Sequence, residues 1–351
     1  MIQGVSPKPK ISVVMAVCHN DDLLELAISS ILRQSFSDFE FLIICDDPSN
    51  RIKEIFNYYE NFDSRIKIFY GPGTGLVDAL NIGCRSAKGK YIARMDADDI
   101  SVPDRFEKQI AFLENNSGIG VCGSWMEVID KSGKNVKTRM PPSLPKVIYF
   151  ALMFNCCIAH PTVIMRRDIV KKVGFYREAA VYIEDYDLWA RLCCITQIAN
   201  IPEFLIKYRY HGDNISKLSS NDHFDEKMNQ SFEISIHLIR ATLGNQFDTE
   251  LQSFFKKWKY GQPMSVEEAV KMEQFIERLS IAYQEICPLN AKEKNELSHY
   301  QGFLLLDLAF RMKNVSRWKA FEYVLKAIRL DPSLLVQFPG KIRFARLYYN
   351  A

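Results

Sequence analysis

The sequence predicts a doubly wound, mostly parallel α/β sheet followed by a helical C-terminal extension. Two observations carry this. From residue 10 to about 105, short β-branched apolar runs alternate with segments of helical periodicity, at the spacing of βα units. From about residue 221, glycine and proline become scarce and the apolar spacing stays helical. The expected division is one domain over residues 1–220, with halves of about 1–105 and 106–220, and an extension over 221–351.

The elements follow in order. "KISVVMAVCHN" is a continuous apolar run that stops at polar residues, as a fully buried parallel strand does. "DDLLELAISSILRQSF" has apolar residues at 23, 24, 28, 31 and 32, which is helix spacing, with Asn20 or Asp21 as N-cap. "FEFLIICDD" is the second strand and ends on two carboxylates. "RIKEIFNYYENF" is helical, "RIKIFYG" is the third strand, and "GPGTGLVDALNIGCRSA" is a glycine-rich turn opening a helix. "KGKYIARMDADD" is the fourth strand. Beyond it, "RFEKQIAFLENN" is helical, "GVCGSWMEVID" a strand and "KSGK" a turn. "HPTVIMRRDIVKKVGFY" is a strand with a short helix, "EDYDLWARLCCI" is helical, and "IPEFLIKYRYHGDNIS" is a strand running into a loop. The phrase "KAIRLDPS" resembles the end of a tetratricopeptide unit, but a single unit cannot build a solenoid.

Composition narrows the function classes. Apolar residues make up 48% and charged residues 25%, an ordinary globular balance, and the net charge of +3 is too small to argue for nucleic acid. No run approaches the ~20 apolar residues of a membrane span, and the N-terminus lacks a signal-peptide pattern. Nine cysteines, none in a CxxC pair, sit mostly in apolar runs and read as small core residues. An odd cysteine count without an export signal fits a reducing cytoplasm.

Carboxylates collect at strand ends: Asp46 and Asp47 after the second strand, Asp96, Asp98 and Asp99 after the fourth. In open α/β sheets that edge is where ligands bind. Asp96 and Asp98 are two residues apart, so on an extended chain they point to the same side. Two such carboxylates can hold one hard divalent cation, which brings phosphates with it. A capped strand end or Asx turn is the competing reading, and the one preferred for Asp99.

The segments "FLIICDDPSN", "GLVDALNIGCRSAKGKYIARMDADDISVPDRFEKQ", "EDYDLW" and "YRYH", in that order, resemble the family 2 glycosyltransferases of GT-A fold, over about residues 10 to 216. The likeness is to the bacterial enzymes that build capsule, O-antigen or lipopolysaccharide sugars. It implies a nucleotide-binding half before about 105 and an acceptor half after it. It implies a UDP-linked nucleotide-sugar donor, Mn²⁺ or Mg²⁺, and a glycan or lipid-linked glycan acceptor. Position by position, Asp46 matches the carboxylate that accepts the uracil N–H. Asp47 stands where the family often has glycine, so the two could exchange that role. Asn81, Arg85 and Lys88 lie where the family contacts the donor, though Arg85 and Lys88 also fit plain helix-surface charges. Asp96 and Asp98 match the DxD motif, with Asp98 on the metal and Asp96 on ribose or water. Asp185 matches the general base, with Glu184 orienting the acceptor and Asp187 a carboxylate favoured by the helix dipole. His211 matches a further metal or diphosphate ligand, and Arg209 could grip phosphate. His160 lies where the acceptor wall runs, and Trp125 and Trp189 are candidates for stacking on sugars, with Trp189 equally suited to the core. "AVCHN" at the end of the first strand lacks the family's proline and ring.

Two other classes compete. A sugar nucleotidyltransferase would need a basic, glycine-rich phosphate loop after the first strand, where "AVCHNDDLL" is acidic. A non-catalytic scaffold on a degenerate transferase fold would not require Asp46, Asp98, Asp185 and His211 together. The last 41 residues, 311–351, hold nine Lys or Arg against Glu322 and Asp331, a net +7 where the whole chain carries +3, with seven aromatic residues interleaved. Such a terminus can associate peripherally with an anionic membrane, here the inner face of the plasma membrane. The preferred alternative packs an apolar stripe of Trp318, Phe321, Leu325 and Ile328 on the catalytic domain.

Overall fold

The protein is described from a computed structural model, over residues 8–17, 21–71, 73–210 and 223–335. It divides into two compact units: Met1–Ser143 with Ile158–Gly212, and Leu144–Cys157 with Asp213–Ala351. Sequence reading left Leu144–Cys157 in the first domain. The segment contains the helix Pro145–Leu152, whose buried residues include Val147, Ile148, Phe150, Ala151 and Leu152. Phe150 and Phe154 meet Tyr283 and Tyr300 of the later helices at ring-centroid distances of 5.3 to 6.4 Å. An apolar segment interrupting a polar surface stretch therefore belongs to the helical core.

The first unit is built on one sheet. Strands β1 (Ile11–Val17), β2 (Phe39–Cys45), β3 (Ile66–Tyr70) and β4 (Tyr91–Asp96) pair in parallel. They alternate with helices α1 (Asp21–Leu32), α2 (Asn50–Phe62) and α3 (Leu76–Ser86). β1 and β2 are buried along their whole length, which is why they read as unbroken apolar runs. The second half adds β5 (Ile100–Ser101), α4 (Arg105–Asn115), β6 (Ile119–Ile129), β7 (Asn135–Arg139), β8 (Ile164–Arg166), α6 (Arg167–Lys172), α7 (Glu184–Cys193) and β9 (Gln197–Arg209), with α5 reserved for Pro145–Leu152. The order is β3-β2-β1-β4-β8-β6-β9-β5, with β7 on β6.

Direction matters more than order. β8 is antiparallel to both β4 and β6, and β6 is parallel to β9. So β1, β2, β3, β4, β6 and β9 all run the same way, and their C-terminal ends share one edge. The doubly wound, mostly parallel expectation is met. Strand order reverses between β2-β1 and β4, which makes the carboxyl end of β1 and β4 the topological switch point.

α3 lies close on the sheet. A Cβ at Gly83 would stand 2.5 Å from Val14 Cγ1 and 2.8 Å from Ile44 Cδ1. Gly83→Ala is therefore expected to overpack this layer and lower unfolding free energy by ~1–3 kcal/mol, read by urea denaturation with an unchanged m-value.

Candidate active site

The shared carboxyl edge gathers most of the acidic residues. Asp46 follows β2 and is 9% exposed. Its Oδ2 accepts the Gly75 N–H at the start of α3 (3.1 Å), while its buried Oδ1 has no partner among the described residues. Gly71 lies against that oxygen so closely that a Cβ there would sit 1.8 Å from Oδ1. Asp47 is exposed and left-handed, with φ 52°. The position that often carries glycine in the family thus does adopt a conformation that favours it. Of the two aspartates, Asp46 is the one with a buried acceptor to offer.

β4 ends at Asp96, and the chain turns so that Asp96, Asp98 and Asp99 bring ligand-capable oxygens within 4.8 Å of one another. Asp99 is fully buried; its Oδ1 accepts the Arg209 N–H (2.8 Å), and its Oδ2 has no partner among the described residues. Burial, and then the charges of Asp98 and Asp96, hold its carboxyl well above the usual range. Asp96 is raised too, first by burial, against the pull of Arg94. The reading of Asp99 as a turn residue alone missed its place in this cluster. All candidate donors are carboxylate oxygens, several per site and partly unsatisfied, which suits a hard divalent cation.

Arg94 is the counter-charge. It sits on buried β4, 3% exposed, with Nη2 2.5 Å from Asp96 Oδ1. Sequence reading passed over it, although an arginine inside the otherwise apolar "YIARMD" signalled a buried partner charge. Arg105, fully buried on α4, donates through Nη2 to the carbonyls of Arg94 (2.9 Å) and Val163 (3.2 Å), and burial lowers its guanidinium to about 9.

Arg209 donates to several backbone carbonyls. It is 2% exposed; Nε donates to the Asp98 carbonyl (3.0 Å), and Nη1 to those of Asp130 (3.0 Å) and Lys131 (3.1 Å). Its fork ties the aspartate turn to the β6–β7 hairpin. Asn81 is likewise committed: its amide and carbonyl bridge the Tyr176 backbone in both directions at 3.0 Å. Lys88 lies at the opposite edge, its N–H bonded to Ser12 Oγ and Glu40 at the start of β1 and β2. α3 starts at the carboxyl edge and runs back, so residues at and beyond its C-terminus are carried away from the site. Exposed Arg85, in its last turn, stacks on Phe175 at 6.0 Å. Asn81 and Arg209 are thus hydrogen-bonded to backbone groups, Lys88 stands at the amino edge of β1 and β2, and Arg85 lies against the Phe175 ring. His211, Cys18, His19 and Asn20 lie outside the described residues.

α7 begins at the same edge with Glu184 and Asp185. Asp185 Oδ1 accepts the Tyr186 N–H (2.6 Å). Glu184 is 8% exposed, and burial followed by the charge of Asp185 pushes its carboxyl up to about 7. His160 stands 4.0 Å from it through Nδ1, and its Nε2 meets the Tyr176 hydroxyl at 2.8 Å. Burial, with Arg94 adding to it, keeps this imidazole neutral. Asp187 pairs with Arg191 (2.7 Å) one turn along the helix. Trp189 is fully buried core against the His160 ring, while Trp125 donates its indole N–H to the Pro141 carbonyl (3.1 Å). Among the described residues no cysteine pair forms a disulfide.

One edge of the parallel sheet is thus lined by the Asp46 carboxylate, the Asp96–Asp98–Asp99 cluster and the Glu184–Asp185 pair. Residues 12–174 match the Glycosyl transferase family 2 description. An uncharacterized glycosyltransferase of Methanocaldococcus jannaschii is 38% identical over 218 residues, covering 59% of this chain and 72% of that protein. The O-antigen biosynthesis glycosyltransferase WbnJ of Escherichia coli is 35% identical over 215 residues, covering 59% and 82%. Among solved structures, S. aureus TarS 1-349 in complex with UDP-GlcNAc superposes with TM-score 0.57 at 15% identity, over 93% of this chain and 92% of that one, a likeness of fold. This chain belongs to glycosyltransferase family 2 and is a glycosyltransferase.

Two outcomes follow from the geometry. Gly71→Ala should displace the Asp46 carboxylate and lower unfolding free energy by ~1–3 kcal/mol, read by urea denaturation. Glu184 has a raised folded pKa, so its ionised form costs stability, and that cost grows as pH climbs from the ordinary carboxylate range through about 7. Glu184→Gln should therefore raise Tm at pH 8, with the gain fading toward pH 5.

Proposed function

We propose that the protein is an inverting, metal-dependent transferase that moves a sugar from a UDP-linked nucleotide sugar to a hydroxyl of a glycan or lipid-linked glycan, in cytoplasmic assembly of a cell-surface polysaccharide. The observation that carries this reading is the convergence of Asp46, the Asp96–Asp98–Asp99 cluster and the Glu184–Asp185 pair on one edge, electrostatically linked through Arg94 and Asp96.

Each group has a task that its surroundings suit. The buried, unpartnered Oδ1 of Asp46 accepts the uracil N–H, and Gly71 keeps the approach open. Asp98, Asp96 and Asp99 would hold Mn²⁺ or Mg²⁺, and the ion would supply positive charge for the leaving diphosphate. Asp185 takes the proton of the acceptor hydroxyl as its oxygen bonds to the anomeric carbon from the face opposite the phosphate, and the bond from that carbon to the UDP oxygen breaks. Glu184, set below Asp185 and beside neutral His160, orients the acceptor. A hydroxyl is far too weak an acid to ionise alone, so a carboxylate within hydrogen-bond reach is what the reaction needs. Peripheral attachment of residues 311–351 to an anionic membrane suits a lipid-linked acceptor.

UDP release from UDP-sugars with Mn²⁺ tests the activity. Asp98→Ala is expected to abolish the metal-dependent gain in UDP binding. Asp185→Asn should leave UDP binding intact and slow transfer on the order of 10²–10⁴-fold. Normal transfer by Asp185→Asn would show that another group takes the proton.

A further inference from the structure

The helix Arg317–Leu330 carries apolar residues on the side it buries and a second apolar stripe on a side it leaves exposed. Its inner face is short. Tyr323 and Ala327 are buried, and at Gly302 of the helix Ala291–Met312 an added Cβ would stand 3.4 Å from the Ala327 carbonyl and 2.5 Å from Leu334. Its outer face carries Trp318, 81% exposed, Phe321, 53%, and Leu325, 39%, at i, i+3 and i+7. The Trp318 and Phe321 rings stack on each other at 6.2 Å. Val315, also exposed, precedes Trp318 by three residues. Of that stripe, Trp318, Phe321 and Leu325 are exposed and Ile328 is half-buried.

The charges around the stripe say what it faces. Arg317 and Arg329 flank it, both exposed and with no ion pair among the described residues. Lys319 and Lys326 are instead held by Glu322, at 2.7 and 2.8 Å, so the single acid on the helix is already neutralised. The sequence that follows, 336–351, adds Lys341, Arg343 and Arg346 with no acid. Covering the stripe with that tail, or with the same face of a second copy, would set cation against cation. An anionic polymer would meet the arginines but leave two stacked rings in water. A surface that is anionic outside and apolar just beneath satisfies both, and tryptophan has its preferred seat at such a boundary.

We propose that Trp318, Phe321 and Leu325 insert into the headgroup boundary of an anionic bilayer, with Arg317 and Arg329 on its acidic lipids. This deepens the membrane part of the function proposed above and names the residues that make the contact.

The full-length chain is tested by co-sedimentation with phosphatidylcholine vesicles with and without phosphatidylglycerol, at low and high salt. Binding is expected only to the anionic vesicles, falling with salt, with a blue shift of tryptophan fluorescence that Trp318→Leu removes. Trp318→Ser with Phe321→Ser, and separately Arg317→Glu with Arg329→Glu, should each lower the bound-to-free ratio at least ~10-fold. UDP binding without lipid, measured on the same variants, should be unchanged, so loss of vesicle binding is read apart from loss of the enzyme's own site. Equal binding to both vesicle types, or none, overturns the proposal. So does a dimer that Trp318→Ser with Phe321→Ser dissociates in the absence of any vesicle binding.

Discussion

Everything at the active edge depends on holding carboxylates together against their mutual repulsion. Asp96, Asp98 and Asp99 place oxygens within 4.8 Å of one another, where unit charges repel by several kcal/mol at the screening of a protein surface. The protein meets this partly by burying Arg94 beneath them, 2.5 Å from Asp96, and partly by raising the affinity of Asp96 and Asp99 for protons. A site so arranged is under electrostatic tension that nearby positive charge relieves, and Arg94 supplies part of it. Burial of Arg94 is costly in itself, and buried Arg105, which donates to the Arg94 carbonyl, adds a second cation that repels it.

The rest of the scaffold fixes positions around that cluster. Arg209, at the end of β9, bonds to three backbone carbonyls and lets its own N–H hold Asp99, so one residue ties the aspartate turn to the neighbouring hairpin. Asn81 does the same for the 176 turn, and Tyr176 in turn meets His160 beside Glu184. Buried polar side chains that saturate backbone groups rigidify their surroundings, because each lost bond would leave an unsatisfied group in a dry interior. Gly71 contributes by absence, leaving room that any side chain would take from Asp46.

The helical unit has its own polar centre. Trp258 donates its indole N–H to Asp307 Oδ2 (2.7 Å), and Arg311 pairs with the same oxygen (2.6 Å), within a cluster of Phe154, Phe232, Phe255 and Phe275. Lys259, also buried, donates to the Phe154 carbonyl and to Asn155 at the end of α5, and burial lowers its ammonium to about 7. These bonds explain why Leu144–Cys157 folds with residues far along the chain. Among the described residues no helix is long and apolar enough to cross a membrane.

The sequence by itself determined the strands, the helices and the acidic residues at strand ends. Those follow from local periodicity and from the rule that a fully buried parallel strand must be apolar, and β1, β2 and β4 fall where the runs lie. Only the tertiary structure decided which polar residues face the cleft. Lys88 and Asn81 share a segment with the motif, yet the direction of α3 sends one to the far edge and a backbone turn claims the other. Asp99 and Gly71 gained their roles from Arg209 and Asp46, many residues away, as Leu144–Cys157 gained its place in the helical unit. Linear spacing reports which way a side chain points from its own strand; it holds no record of which carbonyl, carboxylate or ring another part of the chain will bring to meet it.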